Sequence, residues 1–320
     1  MLKGIVNTLI TPKTYYDVLL DWINNKNDVK IQTKQKYENL IENYLKVEFQ
    51  DQKSTTLKEE NFTNFFNNLE KKEVSTSIRK TLLYIIKSSL LNGHGKNEVP
   101  LLDLSEIKFK TGKKEVEILS QLEQSKLESH ILLKINIRKL CILLVLYTGL
   151  RIGEICGLKW ENIDFENECL YVKRTIQRIK YNDGIHKTKL IESTPKSLSS
   201  IRKVPVPSFI IDLLKKYYTK DEDFILSQST KLYDPRLLEN CFSRLIKKLG
   251  IKKIKFHALR HTFATRSIEA GVDVKTLSEL LGHSSVDITL KTYIHTSDEL
   301  KKKSIDRLVE YMRQKQEVLI

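Results

Sequence analysis

The sequence predicts a mainly α protein with one small antiparallel β-sheet, divided into two domains. Three observations carry that expectation. Apolar residues recur at helical spacing through most of the chain. The stretch from Cys169 to Val206 switches to alternation of β-branched and aromatic residues. Between Gly93 and Glu115 the periodicity lapses, and 320 residues suit two domains at roughly 100–200 residues each.

The first domain, residues 11–97, reads as four helices. Tyr15, Val18, Leu19 and Trp22 mark the first. Tyr37, Leu40, Ile41, Tyr44 and Leu45 form one stripe of the second, with Thr33 as its N-cap. Leu57, Phe62, Phe65, Phe66 and Leu69 mark the third, and Ile78, Leu82, Ile85 and Ile86 a fourth that stops near Gly93. The aromatic residues belong to a core in this reading, not to base-stacking platforms. Residues 98–114, with Pro100, Lys108, Lys110, Lys113 and Lys114, read as a basic linker. The second domain, residues 115–320, has helix patterns at 119–130 and 133–147, then the sheet, with turns at Asn182-Asp183-Gly184 and at Ser197–Ser200. Helices return at 208–218, 234–249, 257–270, 274–281 and 298–315. The last carries a narrow apolar stripe of Ile305, Leu308, Val309 and Met312 beside Lys301-Lys302-Lys303.

Charge points to a polyanionic partner. The formal net charge is +15, of which residues 1–110 carry +3 and residues 111–320 carry +12. Tyr171–Val204 is the densest stretch, with Lys173, Arg174, Arg178, Lys180, Lys187, Lys189, Lys196, Arg202 and Lys203 against Asp183 and Glu192. Nucleic acid fits such a one-sign strip better than a membrane surface. The four cysteines form no C-x-x-C pair, so neither a disulfide framework nor a thiolate zinc site is expected. The longest apolar run, Leu140–Leu150, is about half a membrane span, and the N-terminus lacks a signal-peptide core. The expectation is a soluble, cytoplasmic, nucleoid-associated protein with no membrane partner.

Phosphate loops and dinucleotide-binding glycine motifs are absent, as is an acidic cluster for two-metal chemistry, so no cofactor is expected. His257 and His261 lie at i and i+4, as zinc ligands do. No Glu lies between them, and Arg260 on the same surface would repel a cation, so no metal is expected. The segment reads better as an anion site, with His257 and Arg260 at i, i+3 gripping one phosphate. Arg151 opens a helix in Thr148-Gly149-Leu150-Arg151-Ile152-Gly153-Glu154, and Glu154 is placed one turn on to orient it. Helix 274–281 ends at Gly282, His283 follows, and an amphipathic segment leads to Tyr293. His261 reads as an ordinary helix residue.

These residues, in this order across about 180 positions, resemble the signature of the tyrosine recombinases, the phage-integrase family. The boxes His257-Ala258-Leu259-Arg260-His261-Thr262 and Leu281-Gly282-His283-Ser284-Ser285 are closest in wording to integrases of conjugative transposons and phages. The resemblance implies a helical core-binding domain followed by a catalytic domain. It implies Arg151, Lys196, His257, Arg260, His283 and Tyr293 as catalytic residues, with Glu154 supporting Arg151. Lys196 matches the lysine of the family's β-hairpin turn; Lys189 and Lys203 are alternatives. Tyr293 would attack a backbone phosphate to give a 3′-phosphotyrosyl enzyme, without ATP. His257 would accept its proton or position it, and Lys196 would protonate the leaving hydroxyl. Lys173, Arg174, Arg178, Arg202, Lys108 and Lys110 are the expected DNA contacts. The implied partners are double-stranded recombination sites, a homotetramer assembled on DNA through the C-terminal helix, and an accessory directionality factor. About ten residues precede the first helix, so the additional arm-binding domain of larger integrases is not expected. The expected outcome is integration and excision of a mobile element through a Holliday junction. A Xer-like resolvase or inversion recombinase, a type IB topoisomerase, and a non-catalytic DNA-binding regulator are the alternatives.

Overall fold

The computed structural model describes residues 13–110, 116–181, 187–193 and 201–293, with Lys302, Ile305, Asp306, Leu308, Val309, Glu310, Met312 and Arg313 beyond them. The chain divides into two compact units, Met1–Lys114 and Glu115–Ile320.

In the first unit, α1 (Tyr15–Asn24) starts at a capping box in which Thr14 and Asp17 satisfy each other's backbone N–H groups. α2 (Ile31–Leu40) runs through a π-helical turn, Ile41–Leu45, into α3 (Lys46–Phe49). Thr33 is therefore inside the helix and not its cap. Lys30 holds the N-cap position without a side-chain bond. α4 (Glu59–Lys71) and α5 (Thr76–His94) complete the helices described here. Their apolar stripes meet in a core of Tyr15, Leu45, Phe49, Phe62, Phe65, Leu82, Ile85 and Ile86, with Tyr15 edge-on to Phe49 and Phe62. Residues 98–110 are irregular in backbone yet pack on this core through Val99 and Leu104, with Ile107 and Phe109 partly covered. Lys108 and Lys110 are exposed.

The second unit is built around α7 (Ile137–Thr148), whose residues Leu140–Leu146 are all buried. Around it lie α6 (Gln121–Leu133), α8 (Ile152–Cys156), α9 (Ser208–Lys215), α10 (Pro235–Lys248) and α11 (Ala258–Glu269), then α12 (Val274–Leu281) and α13 (Val286–Tyr293). The structure is mainly helical, but the strands form two sheets instead of one. β1 (Ile163–Asp164), β2 (Cys169–Val172) and β5 (Arg202–Pro205) make an antiparallel sheet in the order β1-β2-β5. β3 (Thr175–Lys180) and β4 (Thr188–Ser193) make a separate hairpin. The Lys173-Arg174 step breaks the pairing, and the returning β5 sets buried Val204 opposite Leu170, which restores an apolar face on β2. Both expected turns lie outside the described residues. Cys141, Cys156 and Cys169 are buried free thiols, and no described helix is long and apolar enough to cross a membrane.

Candidate active site

Two helix ends and one helix start converge in the second unit. α7 ends at Gly149 with φ +65, a left-handed cap that suits glycine. A Cβ there would lie 2.5 Å from the Phe263 ring, so a larger residue would also push α11 away. α8 opens at Arg151, whose backbone N–H donates to Glu154 at 2.9 Å. α12 ends at Gly282, left-handed at φ +63. These caps turn main-chain carbonyls toward the site.

Arginines collect those carbonyls. Arg260, on the first turn of α11, is 1% exposed. It donates to the carbonyls of Gly149 at 2.7 Å and Leu281 at 2.8 Å. Among the described residues no carboxylate forms an ion pair with it. Burial and then Arg151 pull its guanidinium down to about 9, so it remains a cation at neutral pH. Arg151 donates to Glu154 at 2.7 Å and to the Gly282 carbonyl at 3.1 Å. Glu154 is itself buried between two cations. Arg202 reaches it from β5 at 2.9 Å and 3.2 Å while donating to the Leu280 carbonyl at 2.7 Å. Burial works against the Glu154 charge, but Arg202 and Arg151 outweigh it and hold the carboxyl below its ordinary value.

The histidines are arranged around these cations. His257 sits at the N-cap of α11 and His283 directly after Gly282. Burial, then neighbouring positive charge, lowers both to about 4, so each ring is neutral at pH 7. His283 Nδ1 pairs with Thr289 Oγ1 at 2.8 Å, which orients the ring. The half-buried Tyr293 hydroxyl lies 2.7 Å from Nδ1 of His261. Burial raises the phenol, and Arg260 and Arg151 oppose that by favouring its anion.

Arg151, His257, Arg260, His283 and Tyr293 thus meet as expected, with Glu154 beneath Arg151. Lys196 lies outside the described residues. Of its alternatives, Lys203 is exposed on β5, and exposed Lys189 lies over the Tyr181 ring. Two expectations differ from the geometry. The described partner of the Tyr293 hydroxyl is His261 and not His257, which instead packs against the His261 ring with centroids 4.5 Å apart. The basic strip is less free than its charge suggested. Arg174 pairs with Glu161 and Glu192, and Arg178 with Asp234, while the Arg202 side chain is 6% exposed. Lys173 remains exposed. Arg202 as an internal partner of Glu154 carried no local signal, whereas His261 was visible one turn from His257. Among the described residues no group of three or more His, Cys, Asp or Glu is placed to hold a metal.

Residues 111–299 match the sequence model of the phage integrase family. A tyrosine recombinase XerC-like protein of Caldanaerobacter subterraneus is 33% identical over 303 residues, covering 85% of this chain and 76% of that protein. Other curated recombinases and integrases match over between 48% and 61% of their own length. Among solved structures, the Tn1549 transposon integrase in complex with a circular intermediate DNA superposes with a TM-score of 0.73 at 23% identity. That match covers 92% of this chain and 99% of that one. A lambda integrase tetramer bound to a Holliday junction superposes with a TM-score of 0.67 at 16% identity, covering 90% of this chain and 80% of that one.

Proposed function

Because the chain belongs to the phage integrase family of tyrosine recombinases, whose members break and rejoin DNA, we propose that it integrates and excises a mobile element by site-specific recombination. The observation that carries this reading is the convergence of Arg151, Arg260, His257, His283 and Tyr293 around carbonyl-braced cations. Tyr293 attacks the scissile phosphorus, expels the 5′-hydroxyl and leaves a 3′-phosphotyrosyl link. Arg151 and Arg260 stabilise charge on the non-bridging oxygens. Both are already immobilised, so little reorganisation is needed as that charge grows. His257 and His283 are neutral donors toward the phosphate, and Lys196 protonates the leaving oxygen. The covalent link conserves the phosphodiester, so rejoining to a new 5′-end needs no nucleotide.

Residues 11–97 act as the core-binding domain and 115–320 as the catalytic domain, joined through 98–114. Lys173, Lys108 and Lys110, all exposed, contact the duplex, and binding weakens steeply with salt. The tetrameric state of lambda integrase on its junction supports a tetramer assembled on DNA here. The described C-terminal residues Ile305, Leu308, Val309 and Met312 are helical and exposed, as a segment that docks on a neighbouring protomer would be. A Xer-like resolvase is the second reading, favoured by the XerC-like relative.

The test is a nicked suicide duplex whose sequence this chain retains from a random pool. Wild type forms a protein–DNA adduct that survives SDS, and Tyr293→Phe forms none. An adduct in the variant overturns the assignment of the nucleophile. Holliday-junction formation between two such sites separates recombinase from topoisomerase.

A further inference from the structure

α11 carries two histidines one turn apart, and only one of them is bonded to the nucleophile in the described structure. We propose that His261, and not His257, holds the Tyr293 hydroxyl and takes its proton as the phosphotyrosyl bond forms; this rests on the recombinase reading above. The distance from Nδ1 to the hydroxyl is 2.7 Å, within direct proton-transfer reach. His257 closes the other side of the ring edge-on, at 4.5 Å between centroids, and so fixes the plane of His261. With its own proton on Nε2, the neutral ring accepts at Nδ1.

The surroundings favour that form. Burial first, then Arg260 on the same helix, keep His261 below its ordinary value, while Glu117 pulls the other way. Among the described residues of α13, Tyr293 is the titratable group bonded to His261, and Arg260 and Arg151 stabilise its phenolate. A neutral base beside an anion-favouring pair of guanidinium groups suits a phenol that must lose a proton at neutral pH.

The step balances without a co-reactant. The Oη–H bond of Tyr293 breaks and its proton moves to Nδ1 as Oη bonds to phosphorus. The bond from phosphorus to the 5′-oxygen then breaks, and that oxygen takes a proton from the general acid. On rejoining, a 5′-hydroxyl attacks and gives its proton back to the conjugate base of that general acid, the phenolate leaves, and the imidazolium returns its proton to Oη.

Single-turnover cleavage of the selected suicide duplex between pH 6 and 9.5 tests this, with a second duplex in which sulfur replaces the scissile 5′-bridging oxygen. His261→Ala is expected to cleave about 100-fold slower than wild type at pH 7. That deficit should shrink to less than about tenfold at pH 9.5, because the phenolate fraction of Tyr293 grows roughly tenfold per pH unit below its raised value. The sulfur substrate needs no general acid, so it restores Lys196→Ala but not His261→Ala. His257→Ala should show a deficit that does not change with pH. The inference is overturned if His261→Ala stays within threefold of wild type, if its deficit is constant with pH, or if the pH-dependent deficit belongs to His257→Ala. Should His261→Ala fail to fold, His261→Gln is judged by the same criteria. A wild type that forms no adduct with the selected duplex sinks the recombinase reading, and this inference with it. An adduct that forms while the histidine criteria fail sinks the inference alone.

Discussion

Arg79 in the first unit and Arg260 in the second are both buried, and the two are treated in opposite ways. Arg79, in the first unit, is paired with Glu70 at 2.8 Å and lies over the Phe109 ring at 5.2 Å. Its charge is answered inside the protein. Arg260, in the second unit, is more deeply buried; it donates to two main-chain carbonyls and interacts with the Tyr293 hydroxyl, and no carboxylate is paired with it among the described residues. The nearby carboxylate, Glu154, is already shared by Arg151 and Arg202. Carbonyl dipoles satisfy the N–H groups of Arg260 without cancelling its charge. A buried cation without a paired anion carries a desolvation cost that an anionic ligand would offset. The first unit answers the charge of Arg79 with a carboxylate, and the second leaves Arg260 without one among the described residues.

The strongest way to break this contrast is to remove the uncompensated charge. Arg260→Met should lower adduct formation by on the order of 10³-fold or more. Its melting temperature should change by far less than that loss implies, because relief of the buried charge offsets two orphaned carbonyls. A variant that loses cleavage only in proportion to unfolding would place Arg260 with Arg79 as a structural residue.

Acid provides a second, smaller probe. His257 and His283 titrate at about 4 in the folded chain against an ordinary value of 6.5. The unfolded chain therefore binds more protons between those values, and stability is lost as pH falls through that window. Thermal melts from pH 7 to pH 4.5 should show a declining midpoint, and His257→Asn should flatten the decline. A wild-type midpoint that does not fall would contradict the buried, neutral rings.

The smallest effect is expected in the first unit. Arg79→Met should leave adduct formation within about threefold of wild type. It should cost about 1 kcal/mol or less in a denaturant titration, as expected for an ion pair with a mostly exposed Glu70.

Much of this site is legible in local order because its parts are local. Arg151 and Glu154 lie one helical turn apart, as do His257, Arg260 and His261, and Gly149 and Gly282 mark the ends of α7 and α12. The helices follow from 3.6-residue periodicity and the strands from alternation. The less legible features are those where a partner arrives from far along the chain. Val204 returns to Leu170 across an intervening hairpin, so the strands divide into two sheets. Arg202 reaches Glu154 across 48 positions, which turns an expected DNA contact into a buried brace.

The amino-acid order by itself determined the helical class, the small β region, the basic character of the second half and the spacing that marks Arg151, His257, Arg260, His283 and Tyr293 as candidates. Tertiary structure alone decided which of two histidines on one helix face meets the tyrosine. Spacing shows that His257 and His261 lie one turn apart, but the direction from which α13 arrives, 32 residues later, selects His261. The same is true of charge: +15 can be counted along the chain, whereas a buried Arg260 with no carboxylate partner among the described residues is found only after folding.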